Sequence, residues 1–235
     1  MVQDLIKISV ASGFIFLDSA PVGQWMISQP IVCAPLIGWL WGYPLAGLLM
    51  GTLLQLLWTG RLPIGTSCPP EASICALVST IIYIFAKQFS ELGQGIDWMT
   101  LVYAITCGIG AGVIGGKMTI AGRELNNHFS LLADGYAREG SWFKITSIPW
   151  IANLLIWICA SLIIFVVCGL ALLLLAYIQS YHFHIDYFKY CSWLLIPLGV
   201  SVILDVFKVR MRIKFLVTGV ILGFGIGYLA QIANK

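Results

Sequence analysis

One stretch of this sequence, Ala20 to Gly60, carries no charged side chain yet is broken repeatedly by proline and glycine. A bilayer's hydrocarbon core is crossed by roughly 20 apolar helical residues, so the stretch can cross twice, or cross once and fold back. It reads as a membrane segment with built-in breaks. At its end the sequence changes character, passing from Trp58, Thr59 and Gly60 through Arg61, Pro63, Gly65, Thr66, Ser67 and Cys68 to Pro69, Pro70 and Glu71. Irregular backbone and charge survive at membrane depth only where protein or a wet cavity surrounds them, so the search for a substrate path begins here.

The rest of the chain extends the same reading. With 60% hydrophobic and 10% charged residues, an ordinary soluble domain is excluded. Charge-poor runs follow at Ala72 to Ala86, Trp98 to Gly116, Ile145 to Ile185, Tyr190 to Leu204 and Phe215 to Asn234, with a shorter one at Ile8 to Leu17. These predict an all-α, polytopic integral membrane protein of about seven to nine helices, some broken or re-entrant. The N-terminal run lacks a small-residue cleavage site and does not read as a cleaved signal peptide.

Basic residues set the expected orientation. Lys117, Arg123, Arg138 and Lys144 bracket a polar segment, and Lys208, Arg210, Arg212 and Lys214 form a tight basic turn, so both belong to the cytoplasmic side. Within the first, Arg123 to Phe129 leads to Leu131, Leu132, Tyr136 and Ala137 at near-helical spacing, the pattern of an amphipathic helix lying along the membrane face. The chain divides accordingly: a Gly/Pro-rich membrane region over 1–116 holding the substrate path, a cytoplasmic amphipathic segment over 117–144, and membrane helices over 145–235.

Several patterns carry no chemistry. The seven cysteines are scattered through apolar runs, without metal-ligand or disulfide spacing. Glycines four residues apart at Gly108, Gly112 and Gly116, and again at Gly219, Gly223 and Gly227, make small helix faces for close packing, within the subunit or against a partner. Gly110 to Gly115 matches the dinucleotide fingerprint by letter, but no strand precedes it. No nucleophile, metal or phosphate-loop constellation is present in the sequence, so no catalytic residue, metal or cofactor is expected, and nothing points to a nucleic-acid partner.

The candidate binding residues are polar groups whose burial costs free energy unless they serve a purpose. Gln24 precedes Ser28, Gln29 and Pro30 in what reads as a turn feeding a helix, either part of a site or an interfacial connector anchored by Trp25. Gln55 stands among leucines, and Thr52, Gln55 and Thr59 share one helix face. Its amide suits a pair of sugar hydroxyls; the alternative is an interhelical hydrogen bond. Glu71 opens a helix just after the irregular loop that holds Arg61 and Ser67, where it can accept hydrogen bonds from a polyol or simply complement the helix dipole. Asp205 reads as a partner of the basic turn. His128, His182 and His184 are loop residues.

Gly23 to Thr80 resembles the membrane subunit IIC of the mannose/fructose/sorbose class of bacterial sugar phosphotransferase systems. The residues that carry the resemblance are Gln24-Trp25-Met26-Ile27-Ser28-Gln29-Pro30-Ile31-Val32, Gly38, Gly42, Gly47, Gly51 to Leu56, Ile64-Gly65, Pro70-Glu71-Ala72 and Ser79-Thr80, with Asn126-Asn127-His128 and Ala133 to Gly140 further on. The C-terminal helices match loosely. The resemblance implies a multi-pass subunit of the bacterial cytoplasmic (inner) membrane, oligomeric, that moves sugar together with a IID-type membrane subunit. It also implies that soluble IIA and IIB partners carry the phosphoryl group, so that this chain is not itself an enzyme. Sugar is expected to bind at Gln24, Gln55 and Glu71, with Thr59, Ser67 and Arg61 as second choices. Two other readings remain: an ion-coupled secondary transporter using Glu71 and Asp205, and a transport-inactive scaffold or regulatory subunit of the same fold.

Overall fold

The computed structural model describes residues 2–19, 21–59, 69–89 and 98–180. In them lie six α-helices and no strand: α1 (Val2–Leu17), α2 (Pro30–Leu40), α3 (Pro44–Trp58), α4 (Ala72–Phe89), α5 (Trp98–Arg138) and α6 (Trp142–Ser180). The expected spans at 190–204 and 215–234, the basic turn and the second glycine set lie outside the described residues.

The proline-broken opening stretch resolves into a tight helical hairpin. Pro30 and Pro44 each sit in the first turn of their helices, where the missing N–H costs nothing. Between them Gly42 takes φ +79°, with Gly42 N–H donating to Trp39 O at 3.1 Å and Tyr43 N–H to Gly38 O at 2.7 Å. This pair of bonds satisfies the last carbonyls of α2 and reverses the chain. At 11 and 15 residues, α2 and α3 rise only about 16 and 22 Å, short of a core roughly 30 Å thick. The stretch folds back, but neither arm is long enough for the crossing that both expectations included. The arms touch backbone to backbone: a methyl at Gly38 would lie 2.7 Å from Tyr43 O, and one at Gly51 2.6 Å from Pro30 O.

α4 is the central helix. Every residue from Ser73 to Ala86 is buried, and α1, α2, α3, α5 and α6 all pack on it. A helix apolar on all sides is stable only when enclosed in this way. α5 and α6 form a second, much longer hairpin, reversed at Gly140 (φ +68°) by the same device, with Ser141 N–H donating to Tyr136 O at 3.0 Å. Near its far end the Tyr103 hydroxyl donates to Ala171 O at 2.6 Å. α1 lies along α6, where Phe14 stacks tilted on Trp157 at 4.8 Å and the Trp157 indole N–H donates to Val10 O at 3.2 Å.

Two helices among the described residues, Trp98–Arg138 and Trp142–Ile178, are long and apolar enough to cross a bilayer. The outward leucines of α6, such as Leu162, Leu170 and Leu173, are well exposed in the isolated chain, as a lipid-facing surface requires. One boundary differs from expectation. Residues 117–138 continue α5 without a break, where the composition suggested a separate amphipathic helix along the membrane face. At 41 residues α5 is about 60 Å long, twice the thickness of a hydrocarbon core. The polar switch at Lys117 therefore marks a change of surroundings along one helix.

Candidate functional site

Glu71 stands where the chain emerges from Pro69-Pro70 to begin α4, against the glycine face of α5. Its N–H donates to Gly112 O at 2.9 Å, and Thr119 Oγ1 donates to its carboxylate Oε1 at 2.7 Å. That approach needs bare glycines. A methyl at Gly112 would sit 3.0 Å from Glu71 O, and one at Gly115 would lie 2.6 Å from Ile74 Cδ1 and 3.1 Å from Glu71 Cβ. The Gly108, Gly112 and Gly116 face is thus filled by the chain's own α4 and the Pro69-Pro70-Glu71 segment that leads into it. Arg123, one turn beyond Thr119, is near enough for its charge to act on the carboxylate.

Gln55 is held differently. Its Oε1 accepts from Ile31 N–H at 3.2 Å, and its Nε2 lies 3.4 Å from Gln29 Oε1. Gln29 precedes α2 without capping it through its own side chain, so Gln55 supplies from α3 the acceptor that the α2 N-terminus lacks. Of the two readings of this amide, the interhelical bond is present. Thr52 and Thr59 bond back to their own helix, Thr52 Oγ1 to Leu48 O and Leu49 O at 2.9 Å and Thr59 Oγ1 to Gln55 O at 2.5 Å. The three share a face but do not converge on one point.

Gln24 belongs to a third locality. It is exposed, with φ +54°, inside a turn that also holds Gly23 at φ +79° and Met26 at φ +65°. Asp18 organises this turn: its Oδ1 accepts from Trp25 N–H at 2.6 Å and its Oδ2 from Ser28 N–H at 3.0 Å. Burial pushes the Asp18 carboxyl up, but the N–H donors of Ser28 and Trp25 outweigh it and hold its pKa below the ordinary carboxylate value. The turn leaves Trp25 73% exposed, as an interfacial anchor would be. Arg61 and Ser67 lie outside the described residues, as do Asp205, His182 and His184. The structure therefore ties Gln55 to Gln29 and Glu71 to Thr119, two separate localities.

Sequence reasoning missed a cavity of about 780 Å³ between the end of α1, the middle of α5 and the first half of α6. Apolar side chains such as Phe16, Phe129 and Ile148 form most of its wall, and Thr119, Arg123, Asn126, Ser130 and Asn153 supply polar groups. Two signals in the sequence could have revealed it. Thr119, Arg123, Asn126 and Ser130 are spaced four, three and four apart, and Asn153 is the lone carboxamide between Ile145 and Ile178.

The family model described as "PTS system sorbose-specific IIC component" matches residues 2–232. The chain belongs to this IIC family. Among relatives of the IIC family, the fructose permease IIC component of Bacillus subtilis (strain 168) is 30% identical over 113 residues, 48% of this chain and 38% of that protein. The mannose-specific EIIC component of Escherichia coli (strain K12) is 27% identical over 128 residues, 54% of this chain and 43% of that protein. The sorbose-specific EIIC component of Lacticaseibacillus casei is 27% identical over 143 residues, 58% of this chain and 47% of that protein. Matches thus span under half the length of these IIC relatives.

Proposed function

We propose that this chain is the sugar-translocating IIC subunit of a phosphoenolpyruvate-dependent sugar phosphotransferase permease. It works as a multi-pass, oligomeric subunit of the bacterial inner membrane, beside a IID-type membrane subunit. Sugar phosphorylation is carried out by IIA and IIB partners. Family membership supports the class, and the relatives' names, which carry fructose, mannose and sorbose, support a substrate of that kind.

The observation that carries the site is Glu71. A carboxylate at the start of a buried helix, fixed through its own backbone to Gly112 and steadied by one hydroxyl, keeps further acceptor capacity for sugar hydroxyls. Small-molecule sites are mainly apolar with a few convergent polar groups, and the surroundings of Glu71 have that character. Gln24 and Gln55, with Thr59, Ser67 and Arg61, remain secondary contributors to the path in this reading. Gln55 would meet sugar only by exchanging its bond to Ile31.

Isothermal titration of fructose, mannose and sorbose into the purified membrane complex tests the site. Glu71→Ala is expected to weaken the binding sugar by about 5- to 150-fold, the equivalent of losing ~1–3 kcal/mol of hydrogen bonding. Unchanged affinity in that variant would remove Glu71 from the path.

A further inference from the structure

The cavity beside Glu71 is joined to it by one residue. Thr119 both lines the cavity and donates to the Glu71 carboxylate at 2.7 Å. From Thr119 the polar face of α5 runs on through Arg123, Asn126 and Ser130, away from the apolar half of the helix and toward the Gly140 turn. By the placement of Lys117, Arg138 and Lys144 this is the cytoplasmic direction. Across the gap Asn153 of α6 is half-buried in a run of apolar residues and makes no hydrogen bond to another described residue. An amide without a partner in such a position is a candidate for a ligand or pathway contact.

The chemistry of these groups differs from that at Glu71. A carboxylate accepts from hydroxyls and repels a phosphate; a guanidinium does the reverse, offering several N–H donors to phosphate oxygens. Arg123 is the cation of this wall among the described residues. Lys144, the next cation along the hairpin, is 3.8 Å from Glu139 and lies over the Tyr136 ring. Asn126 and Asn153 each carry both donor and acceptor atoms for sugar hydroxyls. The volume of about 780 Å³ falls within the roughly 300–1,000 Å³ typical of small-molecule sites.

From this arrangement we infer a second ligand station: a vestibule that binds the phosphate monoester of the sugar, its phosphate on Arg123 and its hydroxyls on Asn126 and Asn153. The inference rests on the permease reading above and adds a site for the phosphorylated sugar, distinct from the Glu71 site for the free one. Thr119 marks the boundary between them. Nothing in the vestibule performs phosphoryl transfer; it receives the product that a partner forms.

The test uses the full membrane complex purified in detergent, with thermal stability and equilibrium binding as readouts. The probes are fructose 6-phosphate, mannose 6-phosphate, inorganic phosphate and phosphatidylglycerol, each measured beside free fructose and mannose. At least one hexose phosphate is expected to bind and raise the melting temperature. Arg123→Gln should weaken it at least tenfold, Asn153→Leu should weaken it severalfold, and Arg123→Lys should recover part of the loss. Free-sugar affinity should stay within about twofold in Asn153→Leu, and in the Arg123 variants it should fall less than hexose-phosphate affinity, because the Arg123 charge also acts on the Glu71 carboxylate. Equal hexose-phosphate affinity in wild type and Arg123→Gln would overturn the vestibule, as would binding of inorganic phosphate or phosphatidylglycerol that matches the hexose phosphate. Loss of free-sugar binding only in Glu71→Ala would leave the permease reading standing whichever way the Arg123 arm falls.

Discussion

Two glycines two residues apart on α5, and so on opposite sides of the helix, offer a sharp test of how α4 is seated. At Gly108 an added methyl would overlap Ser79 Oγ and lie 2.6 Å from Cys75 O, a backbone atom that cannot turn aside. At Gly110 the same methyl would meet nothing within 4 Å. Replacing glycine by alanine inside a helix gains about 1 kcal/mol in backbone propensity at either position. Overpacking a close contact costs about 1–3 kcal/mol. Gly110→Ala should therefore be neutral or stabilising by up to about 1 kcal/mol, whereas Gly108→Ala should lie about 1–3 kcal/mol below it, because the propensity gain is common to both. Gly112→Ala, with 3.0 Å to Glu71 O and 3.2 Å to Cys75 Cβ, should fall between them. Reversible unfolding of the purified protein in mixed micelles, followed by tryptophan fluorescence, measures the three differences. If Gly108→Ala and Gly110→Ala coincide, α4 does not pack on this face, and the glycines serve an assembly surface instead.

Two further outcomes follow from the hydrogen bonds of the α1–α3 region. Gln55→Leu should destabilise the protein by about 1 kcal/mol, since Ile31 N–H loses its acceptor, while Gln55→Glu keeps the oxygen and should cost less; equal losses in the same unfolding assay would refute the capping role. Asp18→Asn should cost about 1.5–3 kcal/mol at neutral pH, where the charged acceptor serves Trp25 and Ser28. Because the folded pKa of Asp18 lies below its unfolded value, this stabilisation is complete above the ordinary carboxylate range and is lost as pH falls through the folded pKa. The gap between wild type and Asp18→Asn should accordingly close in acid; a gap constant from pH 7 to pH 3 would refute the assignment.

What the sequence revealed and what it hid separate along a physical line. The start of α2 at Pro30 was legible because its punctuation is local, whereas the hairpin, closed by Gly42 and Pro44 through their own backbones, was one of two open readings of the stretch. The extent of α5 was not legible. Its second half changes from apolar to charged at Lys117, and composition reports what a helix touches, whereas continuity depends on backbone bonds that neither Gly115 nor Lys117 interrupts. Gln55 was recognisable as an amide in need of a partner, but that partner is 24 residues away at Ile31. Thr119 lies 48 residues from Glu71, and no local pattern connects them. The family resemblance, read mainly from residues in the first third of the chain, was met by a family match over residues 2–232.

The place of Glu71 follows from backbone accounting before its side chain is considered. Pro69 and Pro70 have no N–H, so the first donor the chain must satisfy as it approaches α4 is that of Glu71. In a membrane interior that donor cannot be left to water. Gly112 O accepts it at 2.9 Å, which requires α5 to come close, and glycines at 108, 112, 115 and 116 permit the approach. A methyl at Gly116 would lie 3.1 Å from Pro69 O and 3.3 Å from Pro70 Cα, so the prolines themselves rest on the same face. The paired prolines, the glycine face and the glutamate thus form one device that sets a carboxylate at a fixed height on α5. Thr119, two turns further along, then receives that carboxylate at the mouth of the cavity. The side chain is not needed to hold α4 in place, because the backbone already does so, which leaves its remaining lone pairs available to a ligand.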